Sequence, residues 1–253
     1  MLAEADTTED AVLGGRLLLR QPRRGHRFGH DAILLAAAID ARAGERACEL
    51  GAGVGAAGLA LAHRVGGLGV TLLEIDAALA ALARENAARN KLSDRVDVVT
   101  LDVAAAARVF AQAGLAATSC AHVLMNPPFN DPAQRVSPDP SRRLAHVGTA
   151  DTLRLWIDRA SFLLDASGTL TLIWRAEGLA DVLAGLAAFG AVTVLPVHPR
   201  PNAAAIRILV AATKGSRAPL TLLPGLTLND ADGRPSAAAE AVLRGGAALS
   251  LKP

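Results

Sequence analysis

The sequence predicts an α/β fold with a doubly wound, mostly parallel sheet of seven strands. Short apolar runs alternate with longer helical patterns from about residue 46 onward. Buried parallel strands form nearly continuous apolar segments, and each needs a crossover, usually a helix, before the next strand. The alternation therefore predicts successive βαβ units. The last two strands are close enough in sequence to pair antiparallel, which gives the sheet an antiparallel edge strand.

The elements follow one another in a regular order. Three strand–helix pairs come first: RACEL with AAGLALAHRV, GVTLLEI with AALAALARENAARN, and RVDVVTLD with VAAAARVFAQA. The strand AHVLMN, the helix TADTLRLWIDRASFLL, the strand GTLTLIWR, the helix GLADVLAGLAAF and the strands AVTVLPVHP and IRILVAAT complete the series. Strands and helices are separated by their length and by the period of their apolar residues.

Two segments lie outside this alternation. Residues 11–30 contain five arginines and no acid, ahead of a short apolar helix. We expect one domain over residues 1–253, with a basic N-terminal extension of about residues 1–44. The second segment, NDPAQRVSPDPSRRLAHVGTAD, is long and rich in proline and serine. Loops of this length in compact domains are usually functional or disordered.

The composition excludes several classes of protein. No apolar run approaches the roughly 18 residues of a membrane span, and the acidic start MLAEADTTED has no apolar core of a signal peptide. We therefore expect a soluble cytoplasmic protein. Cys48 and Cys120 are too few for a zinc cluster, and we expect both to be buried small hydrophobes without metal. A net charge of +2 does not by itself indicate a nucleic-acid binder, although it leaves room for a local basic face.

The segment ELGAGVGAAG, directly after the first strand, predicts a cofactor site. Gly51, Gly53 and Gly55 would let the backbone approach a ligand closely, at the amino end of a helix. Residues 53–58 also match the dinucleotide fingerprint G-x-G-x-x-G, with Glu74 about twenty residues later. Under either interpretation, the carboxylate of Glu74 would accept hydrogen bonds from ribose hydroxyls.

Glu49 separates the two interpretations. It stands two residues before Gly51, where a negative charge would repel a pyrophosphate but would suit the ammonium group of S-adenosylmethionine. Asp102, after the third strand, is placed to accept from an adenine amino group. We therefore favour S-adenosylmethionine, with a nicotinamide dinucleotide oxidoreductase as the alternative. Asp76 could replace Glu74 at the ribose, but Glu74 lies nearer the end of its strand.

The fourth strand ends in VLMNPPFND, a pattern that predicts a site for an amine. Proline cannot donate to a sheet, so the strand must stop there. An exocyclic amine is a poor nucleophile because its lone pair is delocalised. Two acceptors, the Asn126 side-chain oxygen and the Pro127 carbonyl, would favour a tetrahedral nitrogen. Pro128 would stiffen the backbone, and Phe129 could stack on a planar target swung out of its helix or loop. The alternative is an ordinary proline turn with a core phenylalanine.

Together these motifs resemble the class I S-adenosylmethionine-dependent methyltransferases that carry Asn-Pro-Pro-Phe or Asn-Pro-Pro-Tyr. Within that group the chain is most similar to the bacterial tRNA(Val) adenine-37 N6-methyltransferases. The likeness rests on FGHDAILLAAAI, ELGAGVG, LLEID, NPPF and AAIRILVAATKG. It implies a Rossmann-like methyltransferase sheet and an RNA substrate, with tRNA favoured. It also implies cofactor-binding roles for Asp31, Glu49, Gly51, Gly53, Glu74 and Asp102, and roles at the target for Asn126, Pro127, Pro128 and Phe129.

The substrate is less well specified than the chemistry. Residue 129 is phenylalanine where enterobacterial members have tyrosine. The same group includes ribosomal-RNA guanine-N2 and release-factor glutamine methyltransferases, which remain alternatives. Loop arginines suit an RNA because phosphate contacts position it without reading its sequence. The candidate RNA-binding residues are Arg23, Arg24, Arg27, Arg135, Arg142 and Arg143, and His198, Arg200 and Arg207 could add a third basic strip. A solvated surface is the simpler explanation of these arginines, and a helix N-cap is the simpler explanation of Asp31.

Overall fold

The computed structural model describes residues 6–25, 27–128 and 150–252. The strands are β1 (Thr7–Val12), β2 (Leu17–Pro22), β3 (Arg46–Leu50), β4 (Gly69–Glu74), β5 (Val96–Thr100), β6 (Cys120–Met125), β7 (Leu164–Arg175), β8 (Phe189–His198), β9 (Arg207–Lys214), β10 (Thr221–Leu222) and β11 (Leu226–Thr227). The helices are α1 (His30–Ala37), α2 (Ala56–Arg64), α3 (Ala77–Arg89), α4 (Ala107–Gln112), α5 (Ala150–Leu163), α6 (Leu179–Gly185) and α7 (Ala237–Leu243).

The main sheet confirms the predicted doubly wound arrangement. Its strand order is β10-β8-β9-β7-β6-β3-β4-β5, with β11 also beside β8. The strands predicted from the sequence correspond to β3 through β9. Strand β9 runs antiparallel to both β7 and β8, so the predicted antiparallel pair forms at this end of the sheet. Strands β10 and β11 were not predicted, because two residues are too few to show a period.

Apolar side chains cover both faces of the sheet. Along β4, Leu72 packs in a core with α1, α2 and α3, whereas Leu73 packs in a second core with α5 and α6. Successive side chains of a strand point to opposite faces, so a strand buried on both faces is apolar at most of its positions. Each of these leucines is fully buried, which stabilises the fold by about 2 kcal/mol apiece. Cys48 and Cys120 are buried as predicted.

The arginine-rich N-terminal segment forms a β-hairpin that was not predicted. Strands β1 and β2 pair antiparallel, with Thr7 opposite Pro22 and Val12 opposite Leu17. Leu17 and Leu19 are fully buried, while Leu18 between them is exposed. Three consecutive leucines hide this alternation in the sequence. The hairpin packs against α2 and α3.

Two negative findings apply to the described residues alone. None of their helices has both the length and the apolar character that crossing a membrane requires. In the same ranges, no three side chains of His, Cys, Asp or Glu converge closely enough to hold a metal ion.

Candidate active site

The register of the parallel strands brings the two sequence motifs to the same level. Leu50, the last residue of β3, pairs with Met125, the last residue of β6. Gly51 and Asn126 are the next residues of these neighbouring strands, which lie about 4.8 Å apart. The glycine loop and the proline motif therefore begin side by side at the carboxyl edge of the sheet, where open α/β sheets bind ligands.

The glycine loop has a backbone that favours glycine. Gly51, Gly53 and Gly55 have φ values of 68°, 57° and 85°, a region that side chains with a Cβ rarely adopt. A Cβ at Gly51 would also collide with the indole ring of Trp156 from α5. A Cβ at Gly53 would meet no atom within 4 Å. Backbone conformation and lack of space both restrict position 51 to glycine, whereas backbone conformation alone restricts position 53.

Glu74 is held in place by two backbone amides at the end of β4. Its carboxylate accepts from Gly53 N at 2.7 Å and from Asp76 N at 2.8 Å. Each oxygen has a second lone pair, so both can still accept from a ligand hydroxyl. Asp76 instead caps α3, accepting from Ala78 N and Leu79 N. This arrangement leaves Glu74 better placed than Asp76 to hold a ribose.

Glu49 lies beneath the first turn of α2. One carboxyl oxygen accepts from Gly58 N at 2.7 Å, which satisfies an amide that the start of the helix leaves unpaired. Burial raises the pKa of Glu49 to about 8; the bond from Gly58 lowers it, and the charge of Glu74 raises it further. One oxygen of the side chain expected to bind the ammonium group is therefore committed to the helix, and the raised pKa favours the protonated form of Glu49 at neutral pH.

The loop after β5 presents Asp102 at the surface. One carboxylate oxygen accepts from Ala104 N at 2.8 Å, which closes a tight turn. Arg159 of α5 fixes the same loop by donating to the carbonyls of Val103 and Ala105 at 3.2 and 2.6 Å. The loop is thus held in place by Arg159, which lies more than fifty residues further along the chain. The sequence alone does not reveal this contact.

Asn126 carries an unpaired acceptor. Its side-chain oxygen is buried and has no hydrogen-bond partner in the described part of the chain. Leaving such an acceptor unpaired costs about 1–3 kcal/mol, which a donor on a ligand would recover. Pro127 is buried and Pro128 is exposed. The arrangement therefore suits a ligand that brings an N–H group to the end of β6. Phe129 lies outside the described residues.

Comparison with known proteins identifies the family. The family model described as the methyltransferase small domain matches residues 27–195, which is more than half of the chain. The chain belongs to the methyltransferase small domain family. It is an S-adenosylmethionine-dependent methyltransferase, and its glycine loop, Glu74 and the unpaired oxygen of Asn126 fit that cofactor and a methyl acceptor.

Two kinds of relative resemble this methyltransferase. A tRNA1(Val) (adenine(37)-N6)-methyltransferase from Dickeya chrysanthemi is 26% identical over 225 residues, covering 86% of each chain. One of the same name from Porphyromonas gingivalis is 32% identical over 160 residues, covering 62% of this chain and 61% of its own. A crystal structure described as a predicted O-methyltransferase, from Agrobacterium tumefaciens, is 32% identical with a TM-score of 0.74, and the match covers 87% of this chain and 98% of that one.

Asp31 of the methyltransferase makes an ion pair across the sheet edge. Its carboxylate accepts from Arg207 Nε at 2.8 Å. The N-cap of α1 is Gly29, so the N-cap interpretation of Asp31 is wrong. Arg207 begins β9 and pairs in register with Arg175 at the end of β7. Asp31 therefore lies at the carboxyl edge, and Arg207 neutralises it.

The basic N-terminal segment of the methyltransferase is largely paired. Arg27 binds Asp10 at 2.9 Å, Arg20 binds Glu85 at 2.6 Å, and Arg23 donates to a backbone carbonyl of β1. The acids come from β1 and α3, outside the acid-free stretch. The predicted basic face is thus weaker than the arginine count suggests, and Arg24 is exposed. Arg135, Arg142 and Arg143 lie outside the described residues.

A separate cavity of about 760 Å³ opens between the hairpin, the start of α1 and the end of α7. Asp10 and Arg27 line it and pair with each other. None of the glycine-loop residues borders it. The cavity therefore does not locate the chemistry of the methyltransferase, whose motifs lie at the open carboxyl edge.

Two residues at that edge were missed by the sequence analysis. Ile75 follows Glu74 and is 63% exposed, unusual for a large apolar side chain directly after a buried strand. Trp156 packs against Gly51 from α5. The position of Ile75 immediately after the acid could have identified it. Trp156 had no local signal, because it reaches the site through the packing of α5.

Proposed function

We propose that the methyltransferase methylates an exocyclic amino group in RNA, and specifically adenine N6 at position 37 of a tRNA(Val)-type substrate. The observation that carries this proposal is the buried, unpaired side-chain oxygen of Asn126. An amino group can supply the missing N–H donor. A hydroxyl could donate as well, but its methylation calls for a base to remove the proton, and an asparagine side chain is not a base.

The bound cofactor supplies an electrophilic methyl group on its sulfonium sulfur and leaves as S-adenosylhomocysteine. Asn126 accepts one N–H of the substrate amine, and the carbonyl of Pro127 accepts the other. These two acceptors pull the nitrogen out of conjugation, so that its lone pair becomes available to form the N–C bond. Pro127 and Pro128 fix the backbone, which keeps the carbonyl oriented before the substrate arrives. Once methylated, the cationic nitrogen releases its proton to solvent.

The cofactor pocket is assigned to residues at the neighbouring strand ends. Glu74 would hold the ribose hydroxyls, since both carboxylate oxygens retain a free lone pair. Ile75 would cover one face of the adenine ring with its exposed apolar side chain, and Asp102 would accept from the adenine amino group. The glycine loop would admit the methionine end. Each assignment uses a group that already lies at the carboxyl edge.

The choice of tRNA is supported by the relatives. Proteins named tRNA1(Val) (adenine(37)-N6)-methyltransferase match this chain at 26–39% identity. Guanine-N2 and glutamine methylation would use the same two acceptors, so the Asn126 oxygen and the Pro127 carbonyl alone do not select one amine over another. Adenine N6 is favoured because these relatives are named for that reaction and, in the case of the Dickeya protein, match most of the length.

The test is methyl transfer from labelled S-adenosylmethionine to unmodified bulk tRNA, followed by nucleoside analysis. We expect N6-methyladenosine from the native chain and loss of product, by about 100-fold or more, in Asn126→Ala. Asn126→Asp keeps an acceptor oxygen at the same place and should retain more activity than Asn126→Ala. Equal loss in the two variants would assign the function to the amide nitrogen instead. Label in guanosine, or full activity of Asn126→Ala, would contradict the proposal.

A further inference from the structure

The junction between the glycine loop and α2 is held by two side chains from outside it. In a continuous helix, Gly58 N–H would bond to the carbonyl of Val54, four residues earlier. Here Gly58 N donates to Glu49 at 2.7 Å, and the carbonyl of Val54 accepts from Asn86 Nδ2 at 3.0 Å. The left-handed backbone of Gly55, between them, separates the two groups. The shape of the loop therefore depends on Asn86 of α3.

Asn86 is fully buried and makes three hydrogen bonds. Besides the bond to Val54, its oxygen accepts from Arg20 N at 2.7 Å and its nitrogen donates to Arg20 O at 2.9 Å. Both of its N–H groups and its oxygen are thus engaged. One of these bonds reaches the cofactor loop, and the other two reach the N-terminal hairpin.

Asn90, four residues later at the C-cap of α3, binds the same hairpin strand. Its side chain accepts from Leu18 N at 2.9 Å and donates to Leu18 O at 2.7 Å. Residues four apart on a helix rise about 6 Å, and residues two apart on a strand rise about 6.7 Å. The two asparagines therefore match alternate residues of β2 and present amide groups to it as a neighbouring strand would. The two differ in that Asn86 also bonds to the glycine loop, through the carbonyl of Val54, whereas Asn90 does not.

We propose that Asn86 is a positioning residue for S-adenosylmethionine, which fixes the glycine loop in its ligand-binding shape and makes the N-terminal hairpin part of the support of that loop. Val54 is buried, so removing Asn86 takes away the donor of a carbonyl in a buried position. The loop would then shift to find another donor. Gly53, the next residue toward the strand, donates to Glu74 and would move with it.

The test compares matched variants by calorimetric binding of S-adenosylhomocysteine. Asn86→Ala should bind about tenfold more weakly than the native chain, the loss expected when one buried acceptor is left unpaired. Asn90→Ala removes the equivalent bonds to the hairpin and one bond to the Asn86 carbonyl, but none to the loop, and its affinity should change by less than about twofold. Thermal unfolding of both variants reports the hairpin contacts that they share.

A second pair keeps the side-chain volume. Asn86→Asp and Asn90→Asp retain the acceptor oxygen and lose the N–H donors, so no cavity forms, and the first should again be the weaker binder. When methyl transfer to bulk tRNA is followed, the Asn86 variants should show a raised KM for S-adenosylmethionine with kcat little changed at saturation.

Three outcomes would overturn the proposal. The first is native affinity in both Asn86 variants, and the second is equal losses at positions 86 and 90, which would assign the effect to the hairpin as a whole. The third is failure of both Asn86 variants to fold, which would make Asn86 a determinant of the fold. The binding measurement uses no RNA, so it stands independently of the proposed tRNA substrate.

Discussion

The buried carboxyl group of Glu49 makes the stability of the fold depend on pH in a defined direction. Burial raises its pKa to about 8, from an ordinary value of 4.5. Between these values, the folded chain holds a proton that the unfolded chain has released. The free energy of unfolding therefore falls as the pH rises through this range. The contribution is fully present below pH 4.5 and is lost as the pH passes about 8.

The size of the effect follows from one proton per chain. A single extra proton in the folded state gives a slope of about 1.4 kcal/mol per pH unit. Glu49→Gln removes the titration but keeps a side-chain oxygen that can accept from Gly58 N. Between about pH 5.5 and pH 7.5, the native chain should therefore lose stability relative to Glu49→Gln at this slope.

Urea unfolding of both chains across this range provides the measurement. Titrations common to both chains cancel in the difference, including those of Asp40 and Glu45, whose pKa values are lowered. A difference that stays constant with pH would refute the protonated, buried state of Glu49.

The same variant probes the cofactor site, because the native side chain is already neutral near pH 6. Glu49→Gln should then bind S-adenosylhomocysteine almost as tightly as the native chain. A large loss would instead favour direct contact of the carboxylate with the ammonium group.

Other predictions concern the remaining motif residues. Gly51→Ala should abolish binding of S-adenosylhomocysteine, because its Cβ would collide with Trp156. Gly53→Ala should lose less affinity, because a Cβ there has open space around it. Indole fluorescence or calorimetry measures binding in both variants. Glu74→Ala should lose cofactor affinity with little change in substrate specificity. Asp76→Ala should lower the free energy of unfolding by about 1 kcal/mol through loss of the α3 cap while keeping cofactor affinity; a matching loss of affinity at Asp76 would move the ribose contact to that residue.

Much of the fold could be predicted because its strands and helices are set by local patterns of apolar residues. Strands buried on both faces are nearly continuous apolar runs, so segments such as GVTLLEI are visible in the sequence. Parallel strands all end at the same edge, so motifs that follow Leu50, Glu74 and Met125 must converge. A site that combines Gly51 and Asn126 follows from that topology and from the chemistry of each motif.

The rest depends on contacts between distant segments. The partner of Asp31 is Arg207, 176 residues away, and no local sequence pattern predicts this pairing. The pairing of Arg27 with Asp10 follows from the hairpin, which three adjacent leucines concealed. Trp156 reaches Gly51 only because α5 packs on the sheet. The motifs are visible in the sequence, whereas the side chains that hold them in place are not.

The central claim is that Asn126 and Pro127 orient an adenine amino group for methylation. It is tested most directly by methyl transfer to a tRNA(Val) transcript with adenine at position 37, alongside the same transcript with guanine there. The account predicts N6-methyladenosine in the first transcript, none in the second, and a yield lower by about 100-fold or more in the first when Asn126 is replaced by alanine. Methylation of both transcripts, or a methyl group on a ribose oxygen, would contradict it.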